Sequence, residues 1–112
     1  MKIYGIPNCD TVKKAIKFLN NKDIEFEFIN FKKNIPTKKE IMNWKKSFND
    51  WPVNKKGRTY KQLSESFESS SNEQKIALIQ ENTSLIKRPI IEYSNGTVLF
   101  GFNEKELDQL LS

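Results

Sequence analysis

The stretch from Lys2 to Leu19, KIYGIPNCDTVKKAIKFL, constrains the fold more than any other part of the chain. Lys2–Tyr4 is typical of a short strand, and Gly5-Ile6-Pro7-Asn8 is typical of a turn. Beyond the turn, apolar residues recur at helical spacing, at Val12, Ala15, Ile16 and Leu19. Cys9 is therefore predicted to lie where a strand passes into a helix.

Cys9 is the candidate reactive group of this stretch. We expect a side-chain oxygen of Asp10 or Thr11 to cap the helix, which leaves the sulfur beside unpaired backbone N–H groups and the positive end of the helix dipole. A thiolate is stabilised in such a place, and the thiolate is the nucleophilic form of cysteine. The alternative is an inert, half-buried cysteine that packs as a small hydrophobe.

Composition limits the chemistry that Cys9 could perform. It is the only cysteine, and the chain has no histidine. An internal disulfide is excluded, so a redox role would need a resolving thiol from another molecule. No Cys-His or Ser-His pair can form, and no imidazole-based metal site, so we expect no metal and no bound cofactor.

Length, hydropathy and charge narrow the class of protein. A chain of 112 residues suits one domain with a modest core. No apolar run approaches the ~20 residues of a membrane span or the shorter core of a signal peptide, so we expect a cytoplasmic protein that does not enter a membrane. The net charge of +5 is spread as lysine pairs along the chain. That pattern indicates a solvated surface and does not favour nucleic-acid binding.

A second strand is predicted after the first helix. Ile24–Phe28 alternates with period two and continues through Phe31. Strand, helix and strand form a βαβ unit with parallel strands and a right-handed connection. Cys9 then lies at the carboxyl end of a strand, which is where α/β sheets usually bind ligands.

The middle of the chain is predicted to be helical. One helix runs from a capping box at Thr37 and Glu40 to about Asn49, one covers Tyr60–Phe67, and one runs from an Asn72 cap to about Asn82. A basic loop over residues 53–59 separates the first two helices. We interpret residues 37–82 as a helical insert within a single domain that spans residues 1–112.

The last third returns to sheet. Ile90–Tyr93 and Thr97–Phe100 flank Ser94-Asn95-Gly96, and Asn-Gly is the strongest short hairpin signal. Asn103 can then cap a final helix with Glu106 three residues on. Two parallel and two antiparallel strands with helices on both faces predict an α/β protein with a mixed four-stranded sheet of thioredoxin-like fold.

Four segments resemble a known family: GIPNCDTVKKA, the loop from Asn54 to Arg58, LIKRPII and the closing VLFGF. In this order, over essentially the whole chain, they are similar to the arsenate-reductase-like (ArsC/Spx) family. Cys-Asp-Thr followed by Lys-Lys-Ala most resembles the subgroup of reductase-like proteins to which glutathione dependence is ascribed.

The resemblance implies roles where residues match. Cys9 falls on the family's nucleophilic cysteine, Arg88 on an anion-binding arginine, and Pro89 on the cis-proline that such folds place beside the cysteine. The residues implied to bind glutathione or an oxyanion are Asp10, Thr11 and Val12 through their backbone amides, Arg88, Pro89, and Arg58, Lys55 or Lys56 as a substitute donor in the loop after Asn54. Four of these residues have a structural alternative, because Arg88 could be a solvated side chain, Pro89 a trans residue that starts a strand, and Asp10 and Thr11 only turn and cap residues.

The sequence also departs from the family pattern. Position 12 is Val, whereas redox-sensing Spx members use C-x-x-C, and the other two arginines of true arsenate reductases would align near Asn54 and near Phe102-Asn103. The resemblance therefore implies a single-cysteine thiol oxidoreductase that uses glutathione or glutaredoxin and acts on a disulfide or small oxyanion. The alternatives are a true arsenate reductase, a non-enzymatic Spx-like regulator that binds RNA polymerase, and a fold that has lost its catalysis.

Overall fold

The computed structural model describes Met1–Ser112 and divides the chain into two compact units, one of Met1–Lys33 with Arg88–Ser112 and one of Asn34–Lys87. The prediction of a single domain with an insert at 37–82 stays a prediction. No helix is both long enough and apolar enough to cross a membrane.

The chain contains five α-helices and four strands. In chain order they are β1 (Lys2–Gly5), α1 (Asp10–Asn21), β2 (Glu27–Asn30), α2 (Lys38–Phe48), α3 (Arg58–Ser69), α4 (Asn72–Glu81), a 3-10 turn (Thr83–Leu85), β3 (Ile90–Glu92), β4 (Val98–Phe100) and α5 (Glu104–Leu111).

All four strands lie in the first unit and form one sheet in the order β2-β1-β3-β4. β1 pairs with β2 in parallel and with β3 antiparallel, and β3 pairs with β4 antiparallel. The predicted α/β class, mixed four-stranded sheet and thioredoxin-like fold are confirmed.

The second strand is shorter than predicted, because it begins at Glu27 instead of Ile24 and ends at Asn30 instead of Phe31. β1 has four residues, and each is already paired within Glu27–Asn30. Ile24 and Phe26 still face the interior, where they pack against the buried cluster of the first unit. The alternation of apolar and polar residues here therefore reflects burial of the apolar side chains and not pairing with a neighbouring strand.

The core of the first unit lies between the sheet and helices α1 and α5. Its buried cluster consists of Ile3, Ala15, Leu19, Ile91 and Leu107. The helical members follow the spacing seen in the sequence, and each large apolar side chain contributes about 1.5–3 kcal/mol by leaving water. This packing fixes α1 on β1 and β3, and so fixes the start of α1, where Cys9 lies.

The predicted hairpin is present, with strands one residue shorter at the turn than expected. The Tyr93 N–H donates to the Thr97 carbonyl at 2.8 Å, and the Thr97 N–H donates to the Asn95 side chain at 2.9 Å. Gly96 has φ +91°, which glycine adopts without penalty. The turn side chain therefore takes a backbone donor that a longer ladder would have used.

Helix limits in the second unit differ from the predictions at three points. The third predicted helix is capped by Ser71, because Ser71 and Gln74 form a reciprocal capping box, and not by Asn72. α3 begins at Arg58 instead of Tyr60, since the Gly57 N–H closes a turn onto the Asn54 carbonyl at 3.0 Å and the helix follows at once. It also extends to Ser69, whose hydroxyl donates to the Glu65 carbonyl at 2.9 Å.

Candidate active site

Cys9 is itself the N-cap of α1. Its backbone is extended, with φ −88° and ψ 125°, and its side chain makes no capping hydrogen bond. The Cys9 N–H donates to the Ile6 carbonyl at 3.2 Å, and the Cys9 carbonyl accepts from the Lys13 N–H at 3.0 Å. The expectation that Asp10 or Thr11 caps this helix is wrong, because the tight Ile6–Cys9 turn lets the helix start one residue earlier.

The first turn of α1 places backbone N–H donors next to Cys9 along the chain. Asp10, Thr11 and Val12 occupy its first three positions, whose N–H groups have no partner within a helix. These groups and the helix dipole favour negative charge at the N-cap. Cys9 is half-buried and outside the buried core.

Gly5 sets how closely β1 approaches this turn. A Cβ atom on Gly5 would lie 2.7 Å from Cγ2 of Val12, closer than such atoms approach in proteins. The Val12 side chain is fully buried, so position 12 can offer a ligand only its backbone N–H. The sequence reasoning assigned Gly5 only to a turn, although a glycine at the end of a strand can also signal a close approach.

Arg88 and Pro89 lie beside the end of β1. The antiparallel ladder ends with Tyr4 opposite Ile90, and the next residues along the two strands are Gly5 and Pro89. The Arg88–Pro89 peptide bond is cis, as the resemblance implied and contrary to the trans alternative. The Pro89 carbonyl accepts from the Gly101 N–H at 2.8 Å. The strand that leads to Cys9 therefore ends next to the Arg88–Pro89 segment.

The two arginines of the predicted site differ in position. Arg88 is half-buried and its guanidinium Nε is buried, so it is not the fully solvated side chain of the structural alternative. Arg58 lies in the Asn34–Lys87 unit, is exposed, and is the first residue of α3 and not part of a basic loop.

The positions where the family's other arginines would fall have structural roles. Asn54 organises its loop, since its side chain accepts from the Lys56 N–H at 3.3 Å. The Phe102 ring packs against Phe18 with a centroid separation of 5.8 Å, and the Asn103 side chain caps α5 by accepting from the Glu106 N–H at 3.0 Å.

The chemistry available at this edge of the sheet is that of the Cys9 thiol, the backbone dipoles of α1 and the guanidinium of Arg88. No three or more cysteine, aspartate or glutamate side chains come together in a way that could hold a metal ion. Such a set suits attack by sulfur on a second sulfur or on an oxyanion, with the anionic group held by N–H donors.

Comparison with known proteins finds a matching family model, related sequences and a similar solved structure. The family model described as the ArsC family matches residues 4–110. An uncharacterised protein of Haemophilus influenzae is 40% identical over 111 residues, which cover 93% of this chain and 92% of that one. The global transcriptional regulator Spx of Listeria innocua is 28% identical over 97% of this chain and 85% of its own length. The solved structure of a YFFB protein superposes with a TM-score of 0.88 at 30% identity, covering 99% of this chain and 98% of that one.

Proposed function

The chain belongs to the ArsC family, and from that premise we propose that it is a single-cysteine thiol oxidoreductase that uses glutathione as its co-substrate. Cys9 is the nucleophile in this proposal. Glutaredoxin is the alternative donor of the resolving thiol, and small disulfides are the preferred substrates over oxyanions.

The observation that carries the proposal is the place of Cys9 at the N-cap of α1 without a side-chain cap bond. An ordinary cap residue satisfies one of the first helical N–H groups with its own oxygen. Here a thiol takes that position, so the adjacent donors can stabilise a thiolate or a bound anion. Cys9 is not fully buried, which the approach of a second sulfur requires.

The proposed reaction is a pair of thiol–disulfide exchanges. The Cys9 thiolate attacks the glutathionyl sulfur of a mixed disulfide, the old S–S bond breaks, and the substrate leaves as a thiolate that takes a proton from water. A thiolate of free glutathione then attacks the glutathionyl sulfur of the Cys9 adduct. Oxidised glutathione leaves and Cys9 returns as thiolate, so one mixed disulfide and one reduced glutathione have become the substrate thiol and oxidised glutathione.

Two further groups support binding of the peptide. The N–H groups of residues 10–12 and the Arg88 guanidinium are donors suited to a glutathione carboxylate. The Arg88–Pro89 segment lies beside the end of β1, from which the Cys9 turn begins. Binding at this edge would hold the two sulfurs in line, and orientation of this kind supplies much of the rate of an exchange reaction.

Intact mass spectrometry after incubation with oxidised glutathione tests the proposal. Because Cys9 is the only cysteine, we expect one glutathionyl unit per chain and its removal on addition of reduced glutathione. Cys9→Ser is the matched control and should gain no mass. An unmodified wild-type chain, or an adduct that reduced glutathione does not remove, would contradict the proposed co-substrate.

A non-enzymatic regulator is the second candidate, and similarity to the Listeria Spx protein over 97% of this chain favours it. The Val at position 12 removes the C-x-x-C pair of redox-sensing Spx members. Recovery of RNA polymerase subunits on the immobilised chain, with equal recovery on Cys9→Ser, would support the regulator over the enzyme.

A further inference from the structure

A pocket of about 250 Å³ lies within the Asn34–Lys87 unit. Three segments line it: Phe48 at the end of α2, Asp50 and residues 53–56 of the following loop, and Lys87. We call it the lysine pocket, because Lys55, Lys56 and Lys87 all face it. The proposed thiol chemistry uses none of these lysines.

Backbone hydrogen bonds fix the segments that carry the lysines. Val53 forms an isolated antiparallel bridge with Ile86, and the Lys87 N–H donates to the Pro52 carbonyl at 3.0 Å. The Asn54 N–H donates to the Leu85 carbonyl at 2.8 Å. Lys87 and the loop lysines are therefore held on one local framework.

The charges of the lysine pocket sum to about +2, since three lysines face one carboxylate, Asp50. The Asp50 carboxylate accepts from the Trp51 N–H at 2.8 Å and lies 3.4 Å from the Lys55 Nζ. The Trp51 hydrogen bond, with Lys55 nearby, holds the pKa of Asp50 below its usual value, so Asp50 is ionised at neutral pH. Both members of this ion pair are half exposed, so the pair is weak and Lys55 remains available to a ligand.

One wall of the lysine pocket is apolar. The Phe48 ring lies there with the Lys87 Nζ 5.7 Å from its centroid, and Val53 is buried beneath. The volume falls below the ~300–1,000 Å³ of most drug-sized ligand sites. The pocket therefore suits a small molecule with one strongly anionic group and a compact apolar part.

We propose that the lysine pocket binds a small phosphomonoester, with the phosphate against the three lysines and the organic part against Phe48. A phosphate monoester carries a charge of about −1.5 to −2 at pH 7, which matches the charge of the pocket. Lysine binds phosphate as a point charge and needs no bidentate geometry, so three separate ammonium groups suffice.

Titration of the full chain with phenyl phosphate, followed through backbone amide shifts, tests the site. We expect saturable shifts at residues 54–56, with the same affinity at that site in Cys9→Ser, separate from any anion binding at the N–H donors of residues 10–12. Inorganic phosphate should bind severalfold more weakly, because it lacks the contact with Phe48. Benzoate should also bind severalfold more weakly, because it carries one charge. Equal affinity for benzoate, or shifts confined to residues 9–12, would overturn the proposal.

Charge variants separate the pocket from the general positive charge of the protein. Lys56→Gln and Lys87→Gln should each weaken phenyl phosphate about fivefold, the upper range for an exposed ion pair. Lys46→Gln removes the same charge from an exposed position on α2 outside the pocket and should leave affinity unchanged. Asp50→Asn should strengthen binding by a similar factor, because it removes the negative charge from the pocket. The loop should keep its structure, because the amide oxygen can still accept from the Trp51 N–H.

Equal weakening in Lys46→Gln and Lys87→Gln would reduce the effect to long-range attraction and overturn the site. So would unchanged or weaker binding in Asp50→Asn. Because a misfolded variant could only lose affinity, the gain expected of Asp50→Asn keeps the test independent of folding.

Discussion

Helices α1 and α2 begin in opposite ways. At α2, the Thr37 hydroxyl accepts from the Glu40 N–H at 3.1 Å, and the Glu40 carboxylate accepts from the Thr37 N–H at 3.0 Å. At α1, Cys9 occupies the same position and makes no such bond. A full side-chain cap stabilises a helix by about 1 kcal/mol, which α1 forgoes. The difference separates a helix end used for stability from one whose donors remain available to a ligand.

The largest expected effect is the loss of activity when the cysteine at the N-cap of α1 is replaced by serine, an ordinary cap residue. Cys9→Ser should abolish turnover of a glutathione mixed disulfide, because no other thiol exists in the chain. Serine is a favoured N-cap, so the free energy of unfolding should be unchanged or higher by up to about 1 kcal/mol. Strong destabilisation would instead support a cysteine that serves only in packing.

Arsenate tests whether the donors at α1 suffice for a tetrahedral oxyanion. Two of the family's three arginine positions hold other residues, and each lost charged hydrogen bond costs about 1.5–3 kcal/mol. We expect arsenate turnover at least about a hundredfold below mixed-disulfide turnover under the same conditions. Efficient arsenate reduction that collapses in Arg58→Ala would show that Arg58 supplies a missing donor.

Substitution of Arg88 tests whether its guanidinium contributes to anion binding beyond the N–H donors of α1. Arg88→Ala should lower kcat/KM for the mixed disulfide by about 10- to 150-fold, the cost of one hydrogen bond to a charged partner. Arg88→Lys should recover only part, because lysine lacks the planar fork. Unchanged kinetics in both variants would leave Cys9 without an identified side-chain partner.

Substitution of Gly5 tests how closely the start of α1 packs against β1. Gly5→Ala should destabilise the fold by about 1–3 kcal/mol in denaturant unfolding, because the new methyl group meets the buried Val12 side chain. Combined with Val12→Ala, the loss should be smaller than the sum of the single changes. Strict additivity would show that the clash is relieved elsewhere.

The smallest expected effect is the difference in unfolding free energy between variants of the two caps. Thr37→Ala should cost about 0.5–2 kcal/mol of unfolding free energy through the lost capping box at α2. Cys9→Ala should cost little, since no side-chain cap bond exists there to lose. Equal losses in the two variants would erase the distinction between the helix ends.

Elements whose signals lie within a few residues were predicted well. The Thr37–Glu40 capping box and the Asn95-Gly96 hairpin turn are present as the sequence indicated. The errors at Asp10 and Asn72 have a shared cause, because several neighbouring polar residues could have capped each helix. The choice depended on turn geometry at α1 and on a reciprocal partner, Gln74, at α4.

Other errors came from contacts between distant residues. Ile24 and Phe26 show strand alternation, yet β1 has no residue left to pair with them. The approach of Gly5 to Val12 likewise exists only because α1 packs back onto the strand before it. Burial explains both patterns, and burial is decided by the whole unit.

The sequence by itself determined the order of the elements, the place of Cys9 between strand and helix, and the absence of any second thiol. These depend on local periodicity and composition. Only the tertiary structure decided that Cys9 is the cap of α1, that the β1–β3 ladder ends at Tyr4 and Ile90 just before Pro89, and that the Nε of Arg88 is buried. Strand register and burial arise from residues more than 80 positions apart, which no short window of sequence records.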